Sequence, residues 1–220
     1  MIAKFVVDLF HKPFTIGTVV TTNLPRRKIV GLDMYLNAKR FLWSYQDDTP
    51  DSKIKGTISE LFPELAKIRN SMGGNPIKEV VIEAGYWRKV NHVHKWFVDK
   101  VQEGNDDCGY YYVSREQLSE LKSVCMQLLS KKWQELEAIE NKSDAESGWQ
   151  LILPGELVVV NDAKSADQLA SELLPRQSGF FFGGTDYDQY YWEGLIYTVE
   201  IVDRCLELPN EWEFQYHSSW

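Results

Sequence analysis

Between Lys78 and Val101 the hydrophobic period changes within a few residues, and this switch constrains the fold more than any other feature. Lys78 to Tyr86 is strand-like, whereas Val90, Val93, His94, Phe97 and Val101 recur at three- and four-residue steps, the spacing of one apolar helix face. An earlier strand is expected over Gly31 to Phe41, where Leu32, Met34, Leu36 and Ala38 alternate with Asp33, Tyr35, Asn37 and Lys39. The polar stretch Gln46 to Lys55 reads as a loop, with a short helix over Thr57 to Ile68 and a breaker cluster at Ser71 to Pro76. A tyrosine-rich strand is expected over Gly109 to Val113. Ser114-Arg115-Glu116-Gln117 then reads as a capping box opening a helix with the stripe Leu118, Leu121, Cys125 and Leu128. The polar segment Asn141 to Gly148 is the best internal linker. Beyond it come a buried strand at Leu157 to Val160, a helix over Ala166 to Leu174 and a strand at Phe180 to Phe182. Thr185, with Asp188 three residues on, is expected to cap a helix with the stripe Tyr191, Leu195, Val199, Val202 and Leu206; Trp212 to Tyr216 alternates again.

Strands and helices thus mix without regular alternation and without the glycine fingerprint of a dinucleotide-binding sheet. The expected class is α+β, a single mixed or antiparallel sheet with three or four packed helices. Residues 31–220 are expected to form one domain, with residues 1–30 an N-terminal extension or edge hairpin. At 220 residues, 44% hydrophobic and 13% aromatic, the chain has enough apolar surface for a real core. No apolar run approaches the roughly 18 to 20 residues that span a bilayer, and Asp8 interrupts any signal-like run at the start. Cys108, Cys125 and Cys205 stand far apart with no CxxC pair, which suits a reducing cytoplasm. Cys125 and Cys205 read as small core residues, and Asp106-Asp107 keep the Cys108 thiol from activation.

Charge is uneven. Lys4, Lys12, Arg26, Arg27 and Lys28 against Asp8 give residues 1–30 a net +4, which leaves −12 on the rest of a chain whose total is −8. An acidic body disfavours direct nucleic-acid binding, which depends on neutralising phosphates. Gly183-Gly184-Thr185, placed before a helix, could cradle an anion, but no P-loop lysine follows and Asp186 and Asp188 oppose it; a capped turn is the ordinary explanation. His92 and His94, two residues apart, cannot form the i, i+4 pair of a zinc helix, so no metal or cofactor is expected. The aromatic triplets say more. A strand sends successive side chains to opposite faces, so Tyr110 to Tyr112 and Phe180 to Phe182 must put rings on both sides. Either both faces are covered or one is an exposed aromatic surface.

Several segments together resemble a family of small uncharacterised proteins of tailed phages and prophages. They are Gly31-Leu32-Asp33-Met34-Tyr35-Leu36, Tyr86-Trp87-Arg88-Lys89 running on to His94-Lys95-Trp96-Phe97-Val98, Asp106-Asp107-Cys108 with Tyr111-Tyr112-Val113-Ser114, and Leu174-Pro175 with Gly179 to Gly183 and Tyr187-Asp188. The resemblance covers most of 31–220; in such proteins the first of these stretches lies near the N-terminus, so residues 1–30 depart from the pattern. It implies a phage origin and the cytoplasm of a host bacterium, and carries over no catalytic residue.

One expected function and one alternative come from different classes. The first is a non-enzymatic binding module that engages a host or phage protein through an aromatic surface, with Trp87, Arg88, Lys89, Tyr111, Phe181 and Tyr187 as candidate contact residues. The second is an enzyme acting on a nucleotide or phosphorylated small molecule, with Arg88 and Lys89 as anion clamps, His94 as general base and Asp106 or Asp107 as metal ligand. Convergence of Arg88, His94 and Asp107 in one concave pocket would favour the enzyme.

Overall fold

The computed structural model describes residues 31–43, 48–68, 76–140, 156 and 158–220. The first strand, β1, is Asp33–Phe41, and its alternation comes out as expected: Met34, Leu36 and Ala38 are fully buried on one side. It is followed by helix α1 (Pro50–Leu61) and a 3-10 turn over Pro63–Lys67. The helix starts well before Thr57, inside the stretch expected to be loop. Thr49 is its N-cap, accepting from Ser52 N, and Pro50 occupies the first turn, where a missing N–H costs nothing. Asp51 and Lys55 look polar in sequence yet are buried. Asp51 takes the guanidinium of Arg40 at 2.7 Å, and Lys55 Nζ donates to the carbonyls of Leu42 and Trp43. They fasten α1 to the end of β1.

Strand β2 (Glu79–Arg88) leads directly into α2 (Asn91–Lys100), so the change of period is where a strand hands over to a helix. Strand β3 (Tyr111–Val113) precedes the long helix α3 (Arg115–Glu140). Its capping box is present: Gln117 N donates to Ser114 Oγ, and Ser114 N donates to Gln117 Oε1. Helix α4 (Ala166–Leu173), helix α5 (Gln189–Glu207) and strand β4 (Glu213–Ser219) complete the fold.

The sheet has the order β2-β1-β4-β3 with every neighbouring pair antiparallel, which makes the fold α+β. The strand nearest the C-terminus is thereby locked between the first and third strands. Four helices, α2 to α5, bury their stripes in one hydrophobic cluster with the inner faces of all four strands, whereas α1 adds nothing to it. Trp87 lies at the centre, 1% exposed, its Nε1 donating to Thr198 Oγ1 of α5 at 3.0 Å. A bulge in β2 beside Leu36 and Asn37 brings Gly85 under α5; a Cβ there would come within 2.5 Å of Ile201 Cγ2. Glycine lets helix and sheet approach this closely. Cys125 and Cys205 are buried among these contacts, and burial pushes the Cys205 thiol up to about 11.

Three expectations near the C-terminal half are corrected. Phe180 to Phe182 is a turn rather than a strand, with Phe180 95% exposed, Phe181 half-buried and Phe182 buried. Val158 to Val160 is irregular, with Val158 and Val159 exposed and Val158 N donating to Ser130 Oγ. Helix α5 is capped by Asp188, which accepts from Tyr191 N, and not by Thr185; Gly183-Gly184-Thr185 therefore does not open a helix. The expected linker Asn141 to Gly148 and the arm 1–30 lie outside the described residues.

Candidate functional site

Residues paired across strands point to the same side of a sheet. Because the helices cover the side of Met34, Leu36 and Trp87, the opposite side is set by the intervening positions, and no described helix covers it. There Tyr35 stands opposite Tyr86 on one flank and His217 on the other, and Tyr110, just before β3, lies against His217. The centroid separations are 5.3 Å for Tyr86–Tyr35, 4.7 Å for Tyr35–His217 and 4.3 Å for His217–Tyr110, and the central pair is stacked at 12°. These distances match the spacing of about 4.8 Å between strands. Four rings thus form one continuous row from β2 across β1 and β4 to the residue that precedes β3.

Polar groups surround the row. At one end Tyr86 Oη donates to Asp33 Oδ1, and Arg88 Nη1 lies 3.4 Å from the same oxygen. Asp33 is 1% exposed, and its Oδ2 has no partner among the described residues. On the other side of the row, Asn37 aligns with Glu83 and Gln215, and Gln215 with Tyr112. Further along lie Lys39, Val81 and Glu213, and then Phe41 and Glu79. Tyr110 and Tyr112 are 60% and 63% exposed. Partial burial, with Asp33 and Glu83 nearby, raises the Tyr35 hydroxyl pKa; burial and the bond to Asp33 raise that of Tyr86; and burial lowers His217. All these shifts favour neutral rings.

The residues of the enzyme reading are held apart. His94 is fully buried on the helix side, Nδ1 2.8 Å from Tyr216 Oη and Nε2 3.1 Å from Asp106 Oδ2, with its ring edge-on to Phe182. Trp220 Nε1 donates to the other oxygen of Asp106, so this carboxylate ties α2 to the end of the chain. Arg88 projects from the open face, with the sheet between it and His94. Asp107 accepts from Gly109 N and Tyr111 Oη. Arg115 lines a cleft of about 220 Å³ beside β3 and β4, and His92 one of about 190 Å³ between α2 and α4; none of Arg88, His94 and Asp107 lines either. Among the described residues no group of three or more His, Cys, Asp or Glu side chains is placed to hold a metal, and no helix is long and apolar enough to cross a membrane.

The six candidate contact residues are likewise dispersed. Trp87 is in the core, so its ring cannot meet a ligand without unfolding. Lys89 is exposed at the β2–α2 junction beside Gly183, and Tyr111 bonds to Asp107. Phe181 accepts from Leu32 N through its carbonyl while its ring meets Phe180, and Tyr187 packs against Tyr191. Of the six, Arg88 alone belongs to the ringed face. Of the row, Tyr110 belongs to the triplet expected to send rings to both faces and Tyr86 to the segment Tyr86 to Lys89, whereas Tyr35 and His217 are not candidates in the sequence; the signal for Tyr35 is the outward alternation of Asp33, Tyr35, Asn37 and Lys39.

The buried histidines make stability pH-dependent. His92 is 1% exposed, its ring centroid 4.2 Å from that of Tyr191 with the planes tilted by 37°, and neither ring nitrogen is partnered among the described residues. Burial, with Arg176 nearby, holds its pKa well below the usual 6.5, and burial lowers His94 despite the opposing pull of Asp106. A histidine whose pKa is depressed by folding contributes stability that is present above the unfolded value and is lost as pH falls through it. Each buried ring loses up to about 1.4 kcal/mol per pH unit in that window. The urea midpoint is expected to be lower at pH 5.5 than at pH 7.5, with net proton uptake on unfolding; equal midpoints would contradict the assignment.

No protein-family model, curated protein or solved structure matches this chain.

Proposed function

We propose that this chain is a non-enzymatic protein-binding module whose docking surface is the open face of the sheet. The row Tyr86–Tyr35–His217–Tyr110 is the observation that carries this reading. A tyrosine offers a large apolar body with a polar tip and few rotatable bonds, which is why tyrosine and tryptophan dominate the energetics of protein interfaces. Tyr112 and Phe41 extend the ringed area on the same side. The separation of Arg88, His94 and Asp107 speaks for binding rather than the enzyme alternative. A phage or prophage origin, with a host or phage protein as partner in the bacterial cytoplasm, rests on the sequence resemblance.

The test is retention of a partner from host lysate by the immobilised full-length chain. Wild type and a helix-side control, Tyr197→Ala, are expected to hold the same protein, while the double variant Tyr110→Ala/Tyr112→Ala loses it. Equal retention by all three would reject the open face as the docking surface.

A further inference from the structure

We infer that the occupant of the open face is a partner segment rich in arginine and lysine, an inference that rests on the docking role proposed above. The face is dominated by hydrogen-bond acceptors. Asp33, Glu79, Glu83 and Glu213 bring four carboxylates to it, against the two cations Lys39 and Arg88. One of those cations is already engaged, since Arg88 pairs with Asp33. Glu79, Glu83 and Glu213 form no ion pair among the described residues, and Glu83 stands one aligned position from the ring row, beside Asn37.

Two buried acceptor atoms point the same way. Asp33 Oδ2 and Gln215 Oε1, both on residues of this face, have no hydrogen-bond partner among the described residues. A buried acceptor without a donor is destabilising, so a donor-rich partner that reached them as neighbouring side chains shift would relieve a standing penalty. Guanidinium and ammonium groups are donors without acceptors, and their charge is attracted both to the free carboxylates and to the exposed ring faces of Tyr110 and Tyr112. A nucleic acid would bring its own acceptors and negative charge to an acidic surface.

The full-length chain is titrated with a short synthetic peptide of alternating arginine, lysine and serine. Matched probes are a peptide with glutamate in place of the cations and a thymidine oligonucleotide. The ring resonances of Tyr35, Tyr110 and Tyr112 are followed by NMR. The cationic peptide is expected to shift these signals with saturation, and to bind about tenfold more weakly to Glu83→Gln/Glu213→Gln and several-fold more weakly as salt rises, because exposed charge pairs are screened. Absence of binding by the cationic peptide, or preference for either acidic probe, overturns the inference. So does a tenfold gain in peptide affinity in Arg26→Gln/Arg27→Gln/Lys28→Gln, which removes the cations without adding carboxylates and would make the chain's own basic segment the occupant. If Tyr110→Ala/Tyr112→Ala still abolishes partner retention while the cationic peptide fails, the docking reading stands and only the partner chemistry is wrong.

Discussion

Replacing Trp87 with alanine is expected to destabilise the protein by about 3–5 kcal/mol, the cost of deleting a large buried aromatic side chain and leaving a cavity. Trp87 is fastened from several directions. Its Nε1 donates to Thr198 Oγ1, its ring lies 5.9 Å from that of Phe97 in α2, and its neighbour in register is Met34 at the centre of the sheet. Natural domains are stable by roughly 5–15 kcal/mol, so one substitution would remove a large part of the whole. Trp87→Phe separates packing from polarity. It keeps most of the ring and loses the N–H, while Thr198 still donates to Gly194 O, so about 1–2 kcal/mol is expected. Urea unfolding of the three proteins measures both values. A loss below about 1 kcal/mol for the alanine variant would mean that Trp87 is not at the centre of the core.

The double variant Tyr110→Ala/Tyr112→Ala should behave in the opposite way, with a small change in stability and a large one in binding. Both rings are mostly exposed, and substitutions at such positions usually change stability by no more than about 0.5 kcal/mol. A tyrosine at the centre of an interface costs about 2 kcal/mol or more when truncated, roughly a thirtyfold loss of affinity. The two losses need not add, since the rings are close neighbours. A variant that folds as well as wild type and binds at least thirtyfold more weakly assigns the rings to recognition. If affinity is unchanged, they are exposed without purpose; if the protein unfolds, they belong to the fold.

The elements with strong local period were legible in the sequence. The stripe from Val90 to Val101 is α2, the alternation after Gly31 is β1, and Ser114 with Gln117 closes the capping box of α3. Misread segments have physical causes. The polar run before Lys55 concealed a helix because Asp51 and Lys55 bury their charges against Arg40 and the backbone of Leu42 and Trp43, partners that composition does not reveal. Phe180 to Phe182 has strand composition, but the described structure gives it no strand to pair with, and the backbone turns. His94 lies on the apolar stripe of α2 and is buried rather than catalytic; its partner Tyr216 is 122 residues away in sequence, and local periodicity carries no information about that pairing.

The same reasoning explains why the open face was only half visible. The triplets allow either two covered faces or one exposed aromatic face, and the outward set of β1 is visible in the sequence. Which rings would stand side by side depends on β4 crossing back between β1 and β3. That pairing is long-range, and periodicity carries no information about it. Arg88 was found through its local motif and does lie on this face, whereas Trp87 beside it faces the core because a strand alternates.

Site-specific photocrosslinking tests the docking claim most directly. A photoreactive phenylalanine analogue is placed in the full-length chain at position 112 on the open face or at position 197 on α5, both exposed, and crosslinked in cells of the bacterial host proposed above. The result expected is one covalent adduct from position 112 and none from position 197. An adduct from 197 alone, or none from either while the protein still retains a partner, would show that recognition takes place elsewhere on the molecule.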